Sequence, residues 1–308
     1  MGPAQRARAG PLARPAGVIA WLTLSCAAQQ LACLPASWGA AALLHPSRKP
    51  LTTPRPASAQ DVSFESGRLT LRGWLFHVPG ERRGTLIYLH GSSDNRASGV
   101  SIAERFLARG FDVFAYDSRA HGESEGSACT YGYYEKQDRA RAIDLLQARP
   151  IVLLGVSLGG AVALQAAAED PRIAAVIAVA SFSDLRSVAT ERAPFVASKA
   201  DIEAAFRLAE DQAHFKVDEV SPVLAARLIG VPVLLVHGQA DKETPPDHSR
   251  RIFATLRAEK RLLLVPGAGH NDPLRPETWS QIDAWLDGAL ARIGQADHDA
   301  RPRDEGSH

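Results

Sequence analysis

The chain of 308 residues is long enough for one large domain or two small ones, and a hydrophobic fraction of 45% is ordinary for a globular protein. A formal net charge of +1 gives no electrostatic reason to expect nucleic acid as a partner. Three cysteines are too few for a disulfide framework. The sequence contains no G-x-x-x-x-G-K, G-x-G-x-x-G, C-x-x-C or H-E-x-x-H pattern, so neither a nucleotide cofactor nor a metal is predicted.

The N-terminal 45 residues have the pattern of a signal peptide or a membrane anchor. Three arginines precede the apolar stretch "GVIAWLTLSCAAQQLACL", residues 17–34, and apolar residues continue in "ASWGAAALL". We expect the segment 17–43 to anchor the protein in a membrane or to export it, although a soluble N-terminal helix and a cytoplasmic protein stay open. Residues 46–60 are rich in Pro, Ser and Thr and are interpreted as a linker.

From residue 61 to residue 293, short apolar runs alternate with amphipathic ones. The sequence predicts a hairpin in "DVSFES" and "LTLRGWLFHV". Further strands are predicted in "GTLIYLHG", "FDVFAYD", "IVLLGVS", "IAAVIAVA", "VPVLLVHG" and "RLLLVPG", separated by helical patterns. This alternation favours an α/β fold with a mostly parallel sheet covered by helices on both faces. Residues 181–222 interrupt the rhythm with two helical stretches and are predicted to be a small helical cap, and residues 294–308 a disordered tail.

The stretch "GVSLG" follows one of the buried strands and leads directly into a helix. Ser157 lies between Gly155 and Gly159, and Gly160 adds a further small residue. Glycines on both sides allow a sharp strand-to-helix turn that exposes the serine Oγ, whereas bulky neighbours would clash there. By itself this five-residue pattern fits a plain glycine-rich turn as well as a nucleophile.

Polar residues after three other strands complete a catalytic set. Ser92 follows "LIYLHG", and its N–H together with that of Leu158 is predicted to form an oxyanion hole. Asp241 follows "VLLVHG" and can orient a histidine, and His270 follows "LLLVPGAG" and can act as a base. Carboxyl ends of parallel strands meet at one edge of a sheet, so Ser157, Asp241 and His270 are expected to lie together as a triad.

Two other residues compete for these roles. His121 in "DSRAHGES" precedes the serine in the chain and lies in a polar loop, so a structural role is favoured for it. Glu243 is the alternative to Asp241 as the acid. Asn271 and Asp272, beside His270, are interpreted as residues that form hydrogen bonds within their own loop.

With these motifs the chain resembles the α/β-hydrolase superfamily over roughly residues 61 to 293. The segments "LHGSSDN", "YDSRAHGES", "GVSLGG", "HGQADKETPP" and "GAGHND" carry the resemblance. Within the superfamily it is similar to serine-aminopeptidase-like and prolyl-oligopeptidase-like members, and in particular to bacterial hydrolases of the ABHD13/ABHD17 type, which have an N-terminal membrane segment. The resemblance implies a serine hydrolase in which the cap determines specificity.

The expected function is cleavage of an acyl ester or thioester through an acyl-enzyme intermediate, with a small-molecule acyl substrate and no cofactor. A serine exopeptidase acting on small peptides is the alternative, and Glu191, Asp201 and Glu203 in the cap could then hold the free amine of the peptide. A protein that binds a ligand on the same fold without catalysis is the alternative from another class.

Overall fold

The computed structural model describes residues 35–147 and 149–299, and it is built around one eight-stranded sheet. The order of the strands across the sheet is β1-β2-β4-β3-β5-β6-β7-β8, and every pair from β4 to β8 is parallel, while β1 and β2 add an antiparallel edge. The strands are β1 (Ala59–Ser66), β2 (Leu69–Phe76), β3 (Gly84–Leu89), β4 (Phe111–Tyr116), β5 (Ile151–Val156), β6 (Ile173–Val179), β7 (Val233–Gly238) and β8 (Lys260–Val265).

The described part of the chain has nine α-helices, most of which cover the two faces of this sheet. They are α1 (Ala36–Leu44), α2 (Val100–Leu107), α3 (Glu135–Asp144), α4 (Leu158–Ala167), α5 (Leu185–Arg192), α6 (Lys199–Ala213), α7 (Pro222–Ala225), α8 (Asp247–Thr255) and α9 (Pro276–Asp299). One face of the sheet packs against α3, α4 and α8, and the other packs against α2 and α9. The strands β3, β4 and β7 are buried along their whole length, as expected for parallel strands covered twice. The predicted fold class, α/β with a mostly parallel sheet, is confirmed.

A third apolar cluster lies outside the two faces of the sheet. The segment between β6 and β7 carries α5, α6 and α7, and we call α5 and α6 with their connecting loop the cap. The buried side chains of this third cluster include Phe182, Leu185, Phe206 and Phe215. Pro194 follows the last turn of α5 and the loop then leads to Ser198, which caps α6 together with Asp201.

The N-terminal helix α1 belongs to the folded domain, which corrects the expectation that residues up to 43 continue a membrane segment. Ala40 and Leu44 are buried in the cluster under the cap. A Cβ on Gly39 would lie 2.6 Å from the Cβ of Ala205 on α6, so the two helices pack as closely as a glycine permits. The backbone carbonyls of Leu43 and Leu44 accept hydrogen bonds from Tyr131 and Cys129 of the core, which fixes the end of α1.

Two other predicted boundaries also differ from the structure. Residues 46–60 were expected to be a linker, but Arg48 donates hydrogen bonds to the carbonyls of Gly122, Ser124 and Gly126, and β1 already begins at Ala59. Lys49 also donates to Asp94, and Asn95 donates to the carbonyls of Lys49 and Pro50. The sequence pattern missed this attachment because separate polar contacts have no apolar periodicity. At the other end, α9 continues past residue 294 to Asp299, into the predicted tail.

No helix within residues 35–147 and 149–299 has the length and hydropathy needed to cross a bilayer. The apolar stretch 17–34, on which the prediction of an anchor or signal depends, lies outside the described residues.

Candidate active site

Ser157 occupies a strained turn between β5 and α4. Its φ of 53° and ψ of −111° lie outside the regions that residues with a Cβ ordinarily adopt. A Cβ on Gly155 would lie 2.1 Å from the carbonyl oxygen of Gly159, and one on Gly159 would lie 2.0 Å from that of Leu89. The two glycines around the serine are therefore required by contact with backbone atoms, and they allow Ser157 to project from the top of the sheet.

The structure brings together the three residues that the sequence predicted as a triad. The Nε2 atom of His270 is 3.1 Å from Oγ of Ser157, and its Nδ1 atom is 2.7 Å from Oδ2 of Asp241. Ser157 is largely buried, and the side chains of Asp241 and His270 are 0% and 8% exposed. Both distances are within hydrogen-bonding range, so a proton can pass from the hydroxyl to an imidazole that the carboxylate orients.

The Asp241 carboxylate is the most densely hydrogen-bonded group of the site. Its Oδ1 atom accepts the backbone N–H groups of Glu243 and Thr244, each at 2.9 Å. Its Oδ2 atom accepts from His270 and lies 3.2 Å from Nε2 of His237. Burial would raise the pKa of Asp241, but the hydrogen bonds from His237, His270 and Thr244 outweigh it and hold that pKa well below its usual range. The acid therefore stays ionised beside His270.

His237 is a residue that the sequence reasoning missed. It lies at the end of β7, is fully buried, and its Nδ1 atom lies 2.7 Å from the hydroxyl of Ser249. Its Nε2 atom lies 2.8 Å from the carbonyl oxygen of Thr244, so the Nε2–H tautomer donates toward both that oxygen and Asp241. The signal in the sequence was the polar residue inside the run "VLLVHG", where a buried histidine needs partners for both ring nitrogens.

The loop after β3 passes directly beside the nucleophile. A Cβ on Gly91 would lie 3.7 Å from the Cβ of Ser157. His90 fixes this loop, because its Nδ1–H donates to the carbonyl of Gly91 at 2.8 Å and its Nε2 accepts the N–H of Ser118 at 3.0 Å. Ser92 follows in that loop, and Leu158 is the first residue of α4, where an N–H precedes the ladder of intrahelical hydrogen bonds. The two predicted oxyanion donors thus come from two different elements next to Ser157 in the chain or in the fold: Leu158 follows it directly, and Ser92 follows Gly91.

The competing residues are engaged elsewhere. His121 is buried and donates from Nδ1 to the carbonyl of Arg119 at 2.8 Å, and burial lowers its pKa to about 4. Glu243 contributes its backbone N–H to Asp241. Asp272 accepts the N–H of Gly269 at 2.5 Å, so the interpretation that it forms a hydrogen bond within the loop of His270 is confirmed.

A cavity of about 550 Å³ lies between α1, α5 and α6. Its walls are mostly apolar and include Leu43, Leu185, Val188, Ile202 and Phe206. Ser92 and Ser93 line the cavity but Ser157 does not, so the cavity adjoins the active site through the loop that carries the predicted oxyanion donor. Such a cavity can hold the apolar part of a small ligand.

The end of α5 is tied to the loop that carries the acid of the triad. Arg192 donates from Nε to the carbonyl of Glu243 at 2.9 Å and from Nη2 to Oγ1 of Thr244 at 2.6 Å. The neighbouring Glu191 lies 2.8 Å from Nε2 of His248 on α8. Arg192 therefore holds the cap against the loop of Asp241, and Glu191 holds it against α8.

Comparison with known proteins agrees with this architecture. Residues 84–219 match the family model described as the alpha/beta hydrolase fold. The chain is 29% identical over 233 residues to the uncharacterized protein YfhR of Escherichia coli strain K12, covering 71% of this chain and 76% of the relative. Among solved structures it is similar to the Pyrococcus furiosus esterase Pf2001, with a TM-score of 0.64, 22% identity, and coverage of 80% of this chain and 99% of the esterase.

It is also similar to the acylaminoacyl peptidase of Pyrococcus horikoshii, with a TM-score of 0.61 and 16% identity over 81% of this chain and 43% of the peptidase. The chain has the α/β-hydrolase fold. At identities of 22% and 16%, the solved structures show the fold alone, and a fold does not determine the reaction.

Proposed function

We propose that the protein is a serine hydrolase that cleaves an acyl ester or thioester through a covalent acyl-enzyme. The observation that carries this proposal is the chain of contacts from Ser157 through His270 to Asp241, with distances of 3.1 and 2.7 Å. A serine hydroxyl is a weak nucleophile at neutral pH. A hydrogen-bonded imidazole makes it a stronger one, because the ring takes up the hydroxyl proton as the oxygen attacks.

The reaction begins when Oγ of Ser157 attacks the acyl carbonyl and its proton passes to Nε2 of His270. Asp241 accepts the Nδ1–H of the ring and stabilises the imidazolium. The N–H groups of Ser92 and Leu158 donate to the oxyanion of the tetrahedral intermediate. His270 then gives its proton to the leaving alcohol or thiol, and the carbonyl forms again as an ester of Ser157. Water attacks this acyl-enzyme with His270 as base, and the carboxylic acid leaves.

His237 serves as a positioning residue in this scheme. It does not reach the substrate, but it donates toward the same oxygen of Asp241 that holds His270. A carboxylate with donors on both oxygens cannot rotate freely, so the imidazole keeps one orientation and one tautomer.

The apolar cavity favours an aliphatic acyl group as the part of the substrate that is recognised. Its walls come from Leu43 of α1, Val188 of α5 and Ile202 of α6 among others, and it ends at the predicted oxyanion loop. An acyl chain lying there would place its carbonyl carbon toward Ser157.

The exopeptidase alternative is favoured by one observation, that Asp201 lines the cavity. However, Asp201 accepts from Ser198 in the capping box of α6, Glu203 forms an ion pair with Arg186, and Glu191 lies against His248. The three cap carboxylates are thus engaged within the protein, which makes them poor anchors for a free amine. We therefore rank the esterase above the exopeptidase.

A membrane-bound or exported location remains a prediction, as does the resemblance to hydrolases of the ABHD13/ABHD17 type. The location rests on the apolar segment 17–43, and the resemblance rests also on "ALLHPSRKPL" before "DVSFES" and "LRGWLF". Fractionation of cells that express the full chain tests the location, and protein found wholly in the soluble cytosol would contradict it.

The experiment that tests the function is a substrate panel applied to the wild type, Ser157→Ala and Ser92→Ala. The panel contains short and long p-nitrophenyl esters, an acyl thioester and aminoacyl p-nitroanilides. We expect ester and thioester turnover in the wild type and a loss of about 10⁴ to 10⁶-fold in kcat for Ser157→Ala. Ser92→Ala is the matched control, because it removes a serine hydroxyl but keeps the backbone N–H. Preference for the anilides would favour the exopeptidase, and retained turnover in Ser157→Ala would reject the mechanism.

A further inference from the structure

The mouth of the apolar cavity has an exposed apolar rim. Phe195 is 100% exposed and Val196 is 56% exposed, and they lie between Pro194 and Ala197, which both line the cavity. Trp38 of α1 also lines the cavity and is 68% exposed. Three large apolar side chains in solvent around one opening are costly unless something covers them, and such patches mark surfaces of interaction.

The chain itself indicates what this rim faces. Pro35, the first described residue, lines the same cavity. The sequence immediately before it is the apolar stretch of residues 17–34, with arginines further upstream. The end of α1 is fixed to the core by the hydrogen bonds of Leu43 and Leu44, so the point where this stretch joins the domain is fixed at the mouth of the cavity. No linker separates the apolar stretch from the mouth.

We propose that the rim formed by Trp38, Phe195 and Val196 docks into the interface of a lipid bilayer, and that the substrate is a long-chain acyl ester or thioester taken from that bilayer. This inference rests on the proposed hydrolase activity and names its substrate class. Tryptophan and phenylalanine are the side chains expected at the boundary between headgroups and acyl chains. From that position an acyl chain passes between α1 and the cap into the apolar cavity without crossing water.

The occupant is a lipid surface and not a soluble protein partner, because the patch continues directly into a cavity whose walls are themselves apolar. A flat protein partner would cover the rim but leave the cavity behind it unfilled. Residues 17–34 folded back over the mouth, or a second copy of the chain, are the other occupants that the experiment must distinguish.

The test uses the full chain with phosphatidylcholine vesicles that contain a long-chain acyl ester of 4-methylumbelliferone, and the soluble acetate of the same alcohol. The double variant Phe195→Ser, Val196→Ser changes two exposed side chains that lie outside the cavity lining. Leu228→Ser is the matched control, because Leu228 is 72% exposed and lies outside the cap. We expect the double variant to hydrolyse the vesicle substrate at least about tenfold more slowly and the acetate at the wild-type rate, since each of the two apolar side chains is worth about that factor when buried. Leu228→Ser is expected to match the wild type on both.

Each other outcome overturns the docking proposal. Unchanged hydrolysis of the vesicle substrate by the double variant excludes the rim, and a gain on the acetate indicates that residues 17–34 cover the mouth. A change of oligomeric mass in sedimentation indicates a second copy. Docking can also be measured without catalysis, by the quenching of tryptophan fluorescence with vesicles of brominated phosphatidylcholine. We expect more quenching in the wild type than in Trp38→Phe, because Trp38 would lie in the bilayer interface. Equal quenching in the two proteins would reject docking. Failure of the wild type on the acetate rejects the proposed function instead.

Discussion

At the strand ends, Ser157, Asp241 and His270 are each fixed by backbone geometry or by hydrogen bonds, whereas at the rim of the cap Phe195 and Val196 stand in solvent. The difference follows from what each region has to do. Proton transfer requires heavy atoms within about 3 Å of each other, so every degree of freedom there is constrained. An acyl chain requires only apolar volume and a way in, which a few exposed side chains and a cavity can supply.

Replacing the carboxylate that accepts the hydrogen bond from Nδ1–H of His270 should have the largest effect at the strand ends. In Asp241→Asn the amide can present its NH₂ to His270, which disfavours the productive tautomer, and kcat should fall about 10⁴-fold. Burst-phase and steady-state assays with a p-nitrophenyl ester measure this. A urea midpoint close to the wild type is the control for folding, and a loss of less than tenfold would mean that another group orients His270.

The pH dependence of stability tests the ionised state of Asp241. The pKa of Asp241 is depressed, so its contribution to stability is complete above its unfolded pKa of about 3.9 and is lost as the pH falls toward the folded value. Between about pH 8 and pH 5 the acid therefore keeps its charge. We expect the difference in free energy of unfolding between the wild type and Asp241→Asn, measured by urea unfolding, to stay constant in that range and to shrink below about pH 4. A difference that already shrinks above about pH 5 would contradict the depressed pKa of Asp241.

The tight turn around the nucleophile predicts a large loss of stability for one added methyl group. In Gly159→Ala the new Cβ would lie 2.0 Å from the carbonyl oxygen of Leu89, so the free energy of unfolding should fall by roughly 3 kcal/mol or more. Gly230→Ala is the control, because no atom lies within 4 Å of its added Cβ, and it should change stability by less than about 0.5 kcal/mol. Equal urea midpoints for the two variants would contradict the described turn.

A smaller effect is expected at His237. His237→Phe removes the donor to Asp241, and kcat should fall about 10 to 100-fold with little change in KM, because the lost hydrogen bond acts on the orientation of His270. His237→Gln keeps an N–H donor and should recover part of kcat. Equal losses in both variants, or a loss confined to KM, would assign His237 a purely structural role.

The smallest effect is expected from a substitution in the cap, which should change the selectivity of the enzyme for the length of the acyl chain. Ala189 lines the cavity, and Ala189→Phe should lower kcat/KM for long acyl esters about tenfold while short esters are unaffected, since about two methylene groups lose their place. Ala200→Phe places the same ring at an exposed position of α6 and is the control. A uniform loss across chain lengths would place the acyl group elsewhere.

The same contrast explains how much could be predicted from the sequence. Ser157, Asp241 and His270 follow apolar strands in chain order, so local pattern and sheet topology together were enough to predict that they meet. His237 was missed because a polar residue inside a strand carries no periodic signal, and its role depends on a loop that folds back over it. The helix α1 was assigned to a membrane segment because its apolar composition is the same whether it packs on Ala205 or lies in lipid.

The central claim, that Ser157 is the nucleophile, is tested most directly by labelling the full chain with a fluorophosphonate and mapping the adduct by mass spectrometry. The account predicts a single adduct on Ser157 and no adduct in Ser157→Ala. An adduct on a different residue, or an unlabelled wild-type protein that still hydrolyses esters, would contradict it.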